Sequence, residues 1–296
     1  MRFSSVLVLS CLSIAGLLSA CANGDIANPG KLGDLKIIGM VSYKTTLNGV
    51  SDAAPGDTIK VRPYLSWVNG GGATVTWSMV ACRDPGIAFG ATATCTGAPD
   101  RVIVMTQTTP VVVGDSTNAW TDFMPEIPVT IPADFFTNAN FSATSTSTQY
   151  NGASYLIFLS VYGPLGDSDS TMSQIVVTTR TGADLETNPS FDDIQQADGT
   201  ALTTFPGGKV SLKGVTSGVS PTYPGRDGSG NAITNNNGSL INWFYSDGTL
   251  SANTTDQTVT TTDWTPGSKP PGRASVIVGL LRDSRGGVSL KRIALP

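Results

Sequence analysis

The chain contains no histidine. That removes the Ser-His-Asp and Cys-His arrangements of nucleophilic catalysis, and the commonest protein ligand of transition metals. No lysine has a serine three residues before it, so Ser-x-x-Lys catalysis is unsupported too. There is no Gly-x-x-x-x-Gly-Lys-Ser/Thr phosphate loop and no dinucleotide fingerprint. Glutamate is nearly missing: of 22 acidic residues, only Glu126 and Glu186 are Glu. Charged residues make up 14% of the chain, well under the roughly 25% of an average soluble domain. A net charge of −4 leaves no basic footprint for nucleic acid and no polybasic attraction to a membrane surface. Beyond the N-terminal stretch, no apolar run reaches the roughly 18–20 residues needed to cross a bilayer. The longest, Tyr155 to Tyr162, suits one buried strand. Ser, Thr, Gly and Asn fill the space left by charge, and strong helix formers are scarce. Such a composition belongs to an exported β-protein.

What is present begins with Met1, Arg2 and the apolar run Val6 to Leu18, closed by Leu18-Ser19-Ala20-Cys21. A positive start, an apolar core and a small-residue cut site form a secretory signal. The closing four residues resemble the lipobox of a bacterial lipoprotein. The resemblance implies removal of residues 1–20 and acyl chains, palmitate among them, on Cys21. Two or more chains anchor a protein stably. Position 22 is Ala rather than Asp, which in such lipoproteins favours the outer membrane. Of the four cysteines, Cys11 leaves with the signal and Cys21 is acylated. Cys82 and Cys95 remain, and an oxidising compartment favours pairing them.

Residues 21–35 read as the lipidated Cys and a flexible tether. After them one order of features occurs twice. Pro55-Gly56 and Pro206-Gly207 each feed an alternating strand, Thr58 to Arg62 and Lys209 to Lys213. A strand bearing Trp77 or Trp243 follows, then the pairs Trp120-Thr121 and Trp264-Thr265. Each copy closes with an apolar strand, a turn and a last strand: Tyr155 to Thr179, then Ala274 to Leu295. The expectation is an all-β chain with two tandem β-sandwiches, at residues 36–181 and 182–296. Extra residues in the second copy, Gly225 to Asn231 and Asn235 to Gly238, read as surface loop.

Asn242-Trp243-Phe244-Tyr245-Ser246-Asp247-Gly248-Thr249 resembles the Trp strand and Gly-Asp-Gly turn of immunoglobulin-like or PKD-like domains, with Ser246 in place of the first Gly. Asp283-Ser284-Arg285-Gly286-Gly287 resembles the last hairpin of such domains. The resemblance implies an Ig-like fold and no particular activity. It also sets a contrast. Antibody-type disulfides cross the sandwich against a buried Trp. Here Val75, Trp77 and Met79 share one face of a strand, which puts Cys82 on the other. A Cys82–Cys95 disulfide is therefore expected to pin a loop outside the main core.

Candidate binding residues are few. Asp167, Asp169 and Asp227, in Asp-Ser-Asp-Ser and Asp-Gly-Ser-Gly-Asn, offer oxygens at alternate positions for calcium. Asp167/Asp169 and Asp192/Asp193 sit in turn-like contexts that suit solvated turn formers better than a catalytic pair. Trp77 and Trp243 read as core, and Trp120 and Trp264 as structural near a sandwich edge. Trp67 has no counterpart in the repeat and lies beside Gly70-Gly71-Gly72, so it is the Trp to expect on a ligand-binding surface. The expected function is a non-catalytic, lipid-anchored envelope protein with a structural or adhesive role and no cofactor. Its partners would be the membrane through Cys21 and a protein or glycan, not nucleic acid. The alternatives are a carbohydrate-binding module and an accessory subunit of an envelope or secretion complex.

Overall fold

Strand alternation in the sequence becomes sheet geometry directly. Ile59, Val61 and Leu65 turn inward along β2 (Thr58–Ser66), and Ile241, Trp243 and Tyr245 do so along β13 (Ser239–Tyr245). The computed structural model describes residues 30–47, 49–68, 73–84, 94–96, 98, 102–113, 120–121, 126–137, 145–164 and 166–296, with backbone alone at 73, 102–113 and 120–121. The signal segment and Cys21 lie outside these residues.

Two sheets enclose the first core. One joins β1 (Lys36–Lys44), β2, the two-residue β5 (Trp120–Thr121) and β6 (Ile127–Thr130). The other has the order β4 (Val102–Val113), β3 (Ala73–Arg83), β7 (Ala153–Tyr162), β8 (Ser168–Val177). The second core lies between two further sheets. Their orders are β14 (Thr249–Leu250), β16 (Thr261–Thr265), β10 (Val210–Ser217), β9 (Ser190–Gln196), and β15 (Thr254–Asp256), β13, β17 (Ser275–Asp283), β18 (Val288–Leu295). The repeat read in sequence is thus a repeat of topology. In both halves the first, second and Trp-Thr strands form one sheet, and the Trp strand and the last two strands form the other. All pairings between named strands are antiparallel.

The near-continuous apolar character of β7 and β17 has a common cause: both strands are covered on both faces. Ile157, Leu159 and Val161 of β7 enter the first core, while Leu156 and Phe158 form an outer cluster with Val80, Cys82 and Cys95. Ile277 and Leu281 of β17 enter the second core; Val276 and Val278 face the first sandwich, in an apolar seam with Leu32 and Ile38. A register shift between Ile37 and Gly39 in β1 sends Ile37 and Met40 into the first core and Ile38 into this seam. Gly39 is needed there, because a Cβ would lie 2.9 Å from Leu280 Cδ1.

Two expectations change. Residues 30–35, read as tether, are held: the Leu32 N–H donates to the Tyr245 carbonyl (2.7 Å), the Tyr245 N–H to the Gly30 carbonyl (2.9 Å), and Leu32 and Leu35 are buried. Leu32 supplies the apolar anchor that composition alone underrates. The extra residues of the second copy are not a plain loop but a hairpin, β11 (Thr222–Arg226) and β12 (Ala232–Asn236), registered from Thr222↔Asn236 to Arg226↔Ala232. Asp227 closes it, accepting the N–H groups of Ser229 (2.9 Å) and Asn231 (2.8 Å). The Thr/Ser-rich run before β7 ends in a six-residue helix, α1 (Thr146–Asn151), capped by the Ser145 side chain on the Thr148 N–H.

Candidate functional site

Cys82 and Cys95 are joined in a disulfide with Cα atoms 5.7 Å apart. Val75, Trp77, Met79 and Ala81 face the core, and Cys82 sits on the opposite face of β3 in the separate cluster. The bond clamps chain over the outer face of β7; residues 85–93 of the loop between the two cysteines lie outside the described residues. Loop-closure entropy makes such a crosslink worth about 3 kcal/mol. Reduction, or Cys82→Ser, is expected to lower stability by about that much and leave the sheets intact. Backbone NMR after reduction checks this: collapse of the β3 and β7 amide resonances would overturn the local assignment.

Trp67 is the clearest correction. It is 1% exposed and belongs to the first core, not to a binding surface. Its ring packs against Gly163, where a Cβ would come within 2.7 Å of Cη2. The glycines that suggested exposure are its neighbours in sequence; the glycine that receives it is distant. Trp264 is also buried in core rather than placed at an edge, with its Nε1–H donating to the Asp247 carbonyl (2.8 Å). Trp77 and Trp243 are buried as expected.

The calcium candidates do not converge. Asp169 accepts the backbone N–H of Ile37 (2.6 Å) and of Ser170 (2.8 Å), so it serves the irregularity in β1. Asp227 is committed to its own turn, and the side-chain hydrogen bond from Asn231 helps hold its carboxyl below the usual range. Asp167 belongs to the β7–β8 turn through its carbonyl, which accepts the Gly163 N–H (2.7 Å). Among the described residues, no group of three or more Cys, Asp or Glu side chains is placed to hold a metal.

The densest chemistry lies where the two sandwiches meet, and sequence reading missed it. Asp52, in the loop between β1 and β2, is 1% exposed. Its carboxylate accepts from Arg180 Nη2 at 3.0 Å and Arg285 Nη2 at 3.3 Å, and from the Glu186 backbone N–H at 2.8 Å. Arg285 also donates to the Glu186 carboxylate and lies over the Tyr223 ring, 4.6 Å from its centroid. Asp283 completes the turn of the last hairpin by accepting the N–H groups of Arg285 (2.9 Å) and Gly287 (2.7 Å), which aims Arg285 at the joint. Burial pushes Glu186 up to about 7, and Asp52 and Asp283 each to about 6. Burial disfavours the charged form of all three carboxyl groups, so the cluster favours taking up a proton. A usable signal existed: one of only two Glu residues sits between the repeats, and Arg285 interrupts a turn of small residues.

Flanking contacts extend the joint. Asn188 Nδ2 donates to the Ser42 carbonyl (2.7 Å), and Asn188 Oδ1 accepts the Val288 N–H (2.9 Å). On the hairpin side, the Arg226 N–H donates to Asn151 Oδ1 (2.8 Å), Asn151 Nδ2 to the Arg226 carbonyl (2.7 Å), and the Arg226 guanidinium covers the Tyr150 ring at 4.5 Å. Recesses among the described residues include a groove of ≈ 340 Å³ beside β10, whose pairing with β16 ends at Lys213↔Thr261, and a second, a cleft of ≈ 230 Å³ between β8 and the last hairpin.

No protein-family model and no curated protein matches the chain. Solved structures similar to it include a red sea bream transglutaminase (8% identity, TM-score 0.29, covering 90% of this chain and 32% of that one). Fibronectin(III)-like modules of Clostridium thermocellum CbhA are similar at 8% identity and a TM-score of 0.26, covering 86% of this chain and 93% of theirs. Escherichia coli alpha-2-macroglobulin activated by porcine elastase is similar at 13% identity and a TM-score of 0.26, covering 91% of this chain and 22% of that one. The chain thus spans about a third of the transglutaminase and less of the macroglobulin. At these scores the likenesses carry no argument about activity; the sheets themselves define a β-sandwich protein.

Proposed function

We propose that this chain is a lipid-anchored protein of the bacterial cell envelope with a structural or adhesive role and no catalytic one. The observation that carries this reading is the joint. A buried ionic cluster, an apolar seam and a bridging hairpin couple the two sandwiches, which is the mechanical property of a spacer that holds a surface away from its anchor. The Leu18-Ser19-Ala20-Cys21 lipobox supplies the address, and Ala22 favours the outer membrane. Gly30 is fixed on β13, so acyl chains on Cys21 would hold that end of the second sandwich within about 30 Å of the membrane, the reach of an extended nine-residue segment. The partners are the bilayer, through Cys21, and a protein or glycan at the exposed surface. The burial of Trp67 counts against a carbohydrate-binding module built on that residue.

Labelling cells with palmitate tests the anchor. The expected result is a labelled, membrane-bound wild type and an unlabelled, soluble Cys21→Ser variant. A wild-type protein that takes up no label and fractionates as soluble would overturn it. Proteolysis of intact cells then separates an outward-facing adhesive role from a periplasmic spacer.

A further inference from the structure

The second recess, between β8 and the β17–β18 hairpin, contains a cation without a counterion. Alternate residues of β17 face the first sandwich: Val276, Val278, Leu280, then Arg282. The first three are buried apolar side chains, and Leu280 closes on Gly39. The fourth brings a guanidinium to the end of the same seam. Arg282 Nε is buried with no hydrogen-bond partner, and among the described residues no carboxylate pairs with the side chain. Burial alone lowers its pKa, with no neighbouring charge acting against it. The other arginines of the seam and the second sandwich's turns are engaged: Arg180 and Arg285 on Asp52, Arg273 on Asp247, and Arg226 on the Gly230 carbonyl and the Tyr150 ring. Desolvating a guanidinium without a partner is costly, and a bound anion is the group that offsets that cost.

We infer that this cleft binds a small oxyanion, with Arg282 as the charged contact. Thr171 and Ser173 of β8 line it with hydroxyl groups able to donate to an anion, and Met40 and Met172 provide an apolar wall. Asp283 also lines the cleft, but its Oδ1 is turned to the Arg285 and Gly287 amides of its own hairpin. A volume of ≈ 230 Å³ is below that of pockets for drug-sized ligands, so the occupant is one acidic group with a few attached carbons. An acidic sugar, a small carboxylic acid or inorganic phosphate shares this chemistry.

Titrating the intact protein with phosphate, sulfate, acetate and glucuronate, each by calorimetry and by amide chemical shifts, tests the site. Saturable binding of at least one is expected, weakening with added salt. Glucuronate binding without phosphate binding would identify a carboxylate ligand, and the reverse a phosphate. Arg282→Gln is expected to weaken binding at least tenfold, and Arg282→Lys less. Met172 is partly exposed, so Met172→Asp tests the site without touching the seam: a like charge at the mouth should abolish binding while the fold persists. Absence of saturable binding by all four anions, unchanged affinity in Arg282→Gln, or equal affinity for neutral glucose and glucuronate would each overturn the assignment.

Discussion

Replacing Arg285 by alanine is expected to cost about 3–5 kcal/mol, the usual penalty for removing one partner of a buried ion pair. The variant leaves Asp52 and Glu186 buried with Arg180 as the remaining guanidinium near Asp52. The joint therefore loses its central link, and Tyr223 loses the cation over its ring. Urea denaturation measures the loss, and limited proteolysis between β8 and β9 reports separation of the sandwiches. A loss under about 1 kcal/mol would mean the cluster is not holding the joint. A neutral replacement of the four paired side chains, Asp52→Asn and Glu186→Gln with Arg180→Met and Arg285→Met, is expected to recover much of the stability, because no guanidinium then stays buried without its carboxylate.

The same cluster sets a pH dependence whose sign is opposite to that of most ion-paired acids. Burial raises the native Glu186 carboxyl to about 7 and Asp52 to about 6, above their unfolded values of 4.5 and 3.8. Between those limits the folded chain binds more protons than the unfolded one, so this contribution to stability falls as pH rises from about 4 to 7. It is fully present below the unfolded values. Wild-type protein should accordingly resist urea better at pH 5.5 than at pH 7.5 by this contribution, and Glu186→Gln should flatten the difference. A steeper loss of stability on acidification in wild type than in Glu186→Gln would contradict the direction.

The second large effect belongs to Trp243. Trp243→Ala is expected to cost about 3–5 kcal/mol, the range for deleting a large buried aromatic. The ring is fully buried in the second core, packs edge-on against Phe191 at 6.1 Å, and its Nε1–H donates to Thr255 Oγ1 at 2.9 Å. Truncation leaves both a cavity and an unpaired Thr255 hydroxyl in a buried position. Because the first core shares no residue with the second, its own transition should stay close to the wild-type midpoint. Fluorescence-detected unfolding resolves the two. A single transition shifted as a whole would show that the joint makes the sandwiches one cooperative unit.

Much of the architecture was legible because it rests on local rules. Alternation in Thr58 to Arg62 and Lys209 to Lys213, Pro-Gly entries and paired tryptophans specify strands and their order wherever they stand in the chain. The disulfide's place outside the core followed from counting faces between Trp77 and Cys82. The binding candidates failed for the opposite reason. Trp67 stands beside glycines in the sequence, whereas its burial depends on Gly163, a residue on a different strand connection. Asp169 and Asp227 looked like ligands because their oxygens are spaced for a cation, yet backbone amides reach them first.

By itself, then, the sequence determined an all-β chain with two repeats of one strand order, a single internal cysteine pair and a lack of His-based chemistry. Periodicity, turn residues and composition act over a few neighbouring positions and need no partner to be read. Only the tertiary structure decided that Asp52, Arg180, Glu186 and Arg285 form one buried cluster, that Gly30 to Leu32 lie on β13, and that Arg282 stands unpaired in a cleft. Those outcomes depend on which surfaces the two sandwiches bury against each other. Charges far apart in the chain acquire partners, or fail to, only when that packing removes their water.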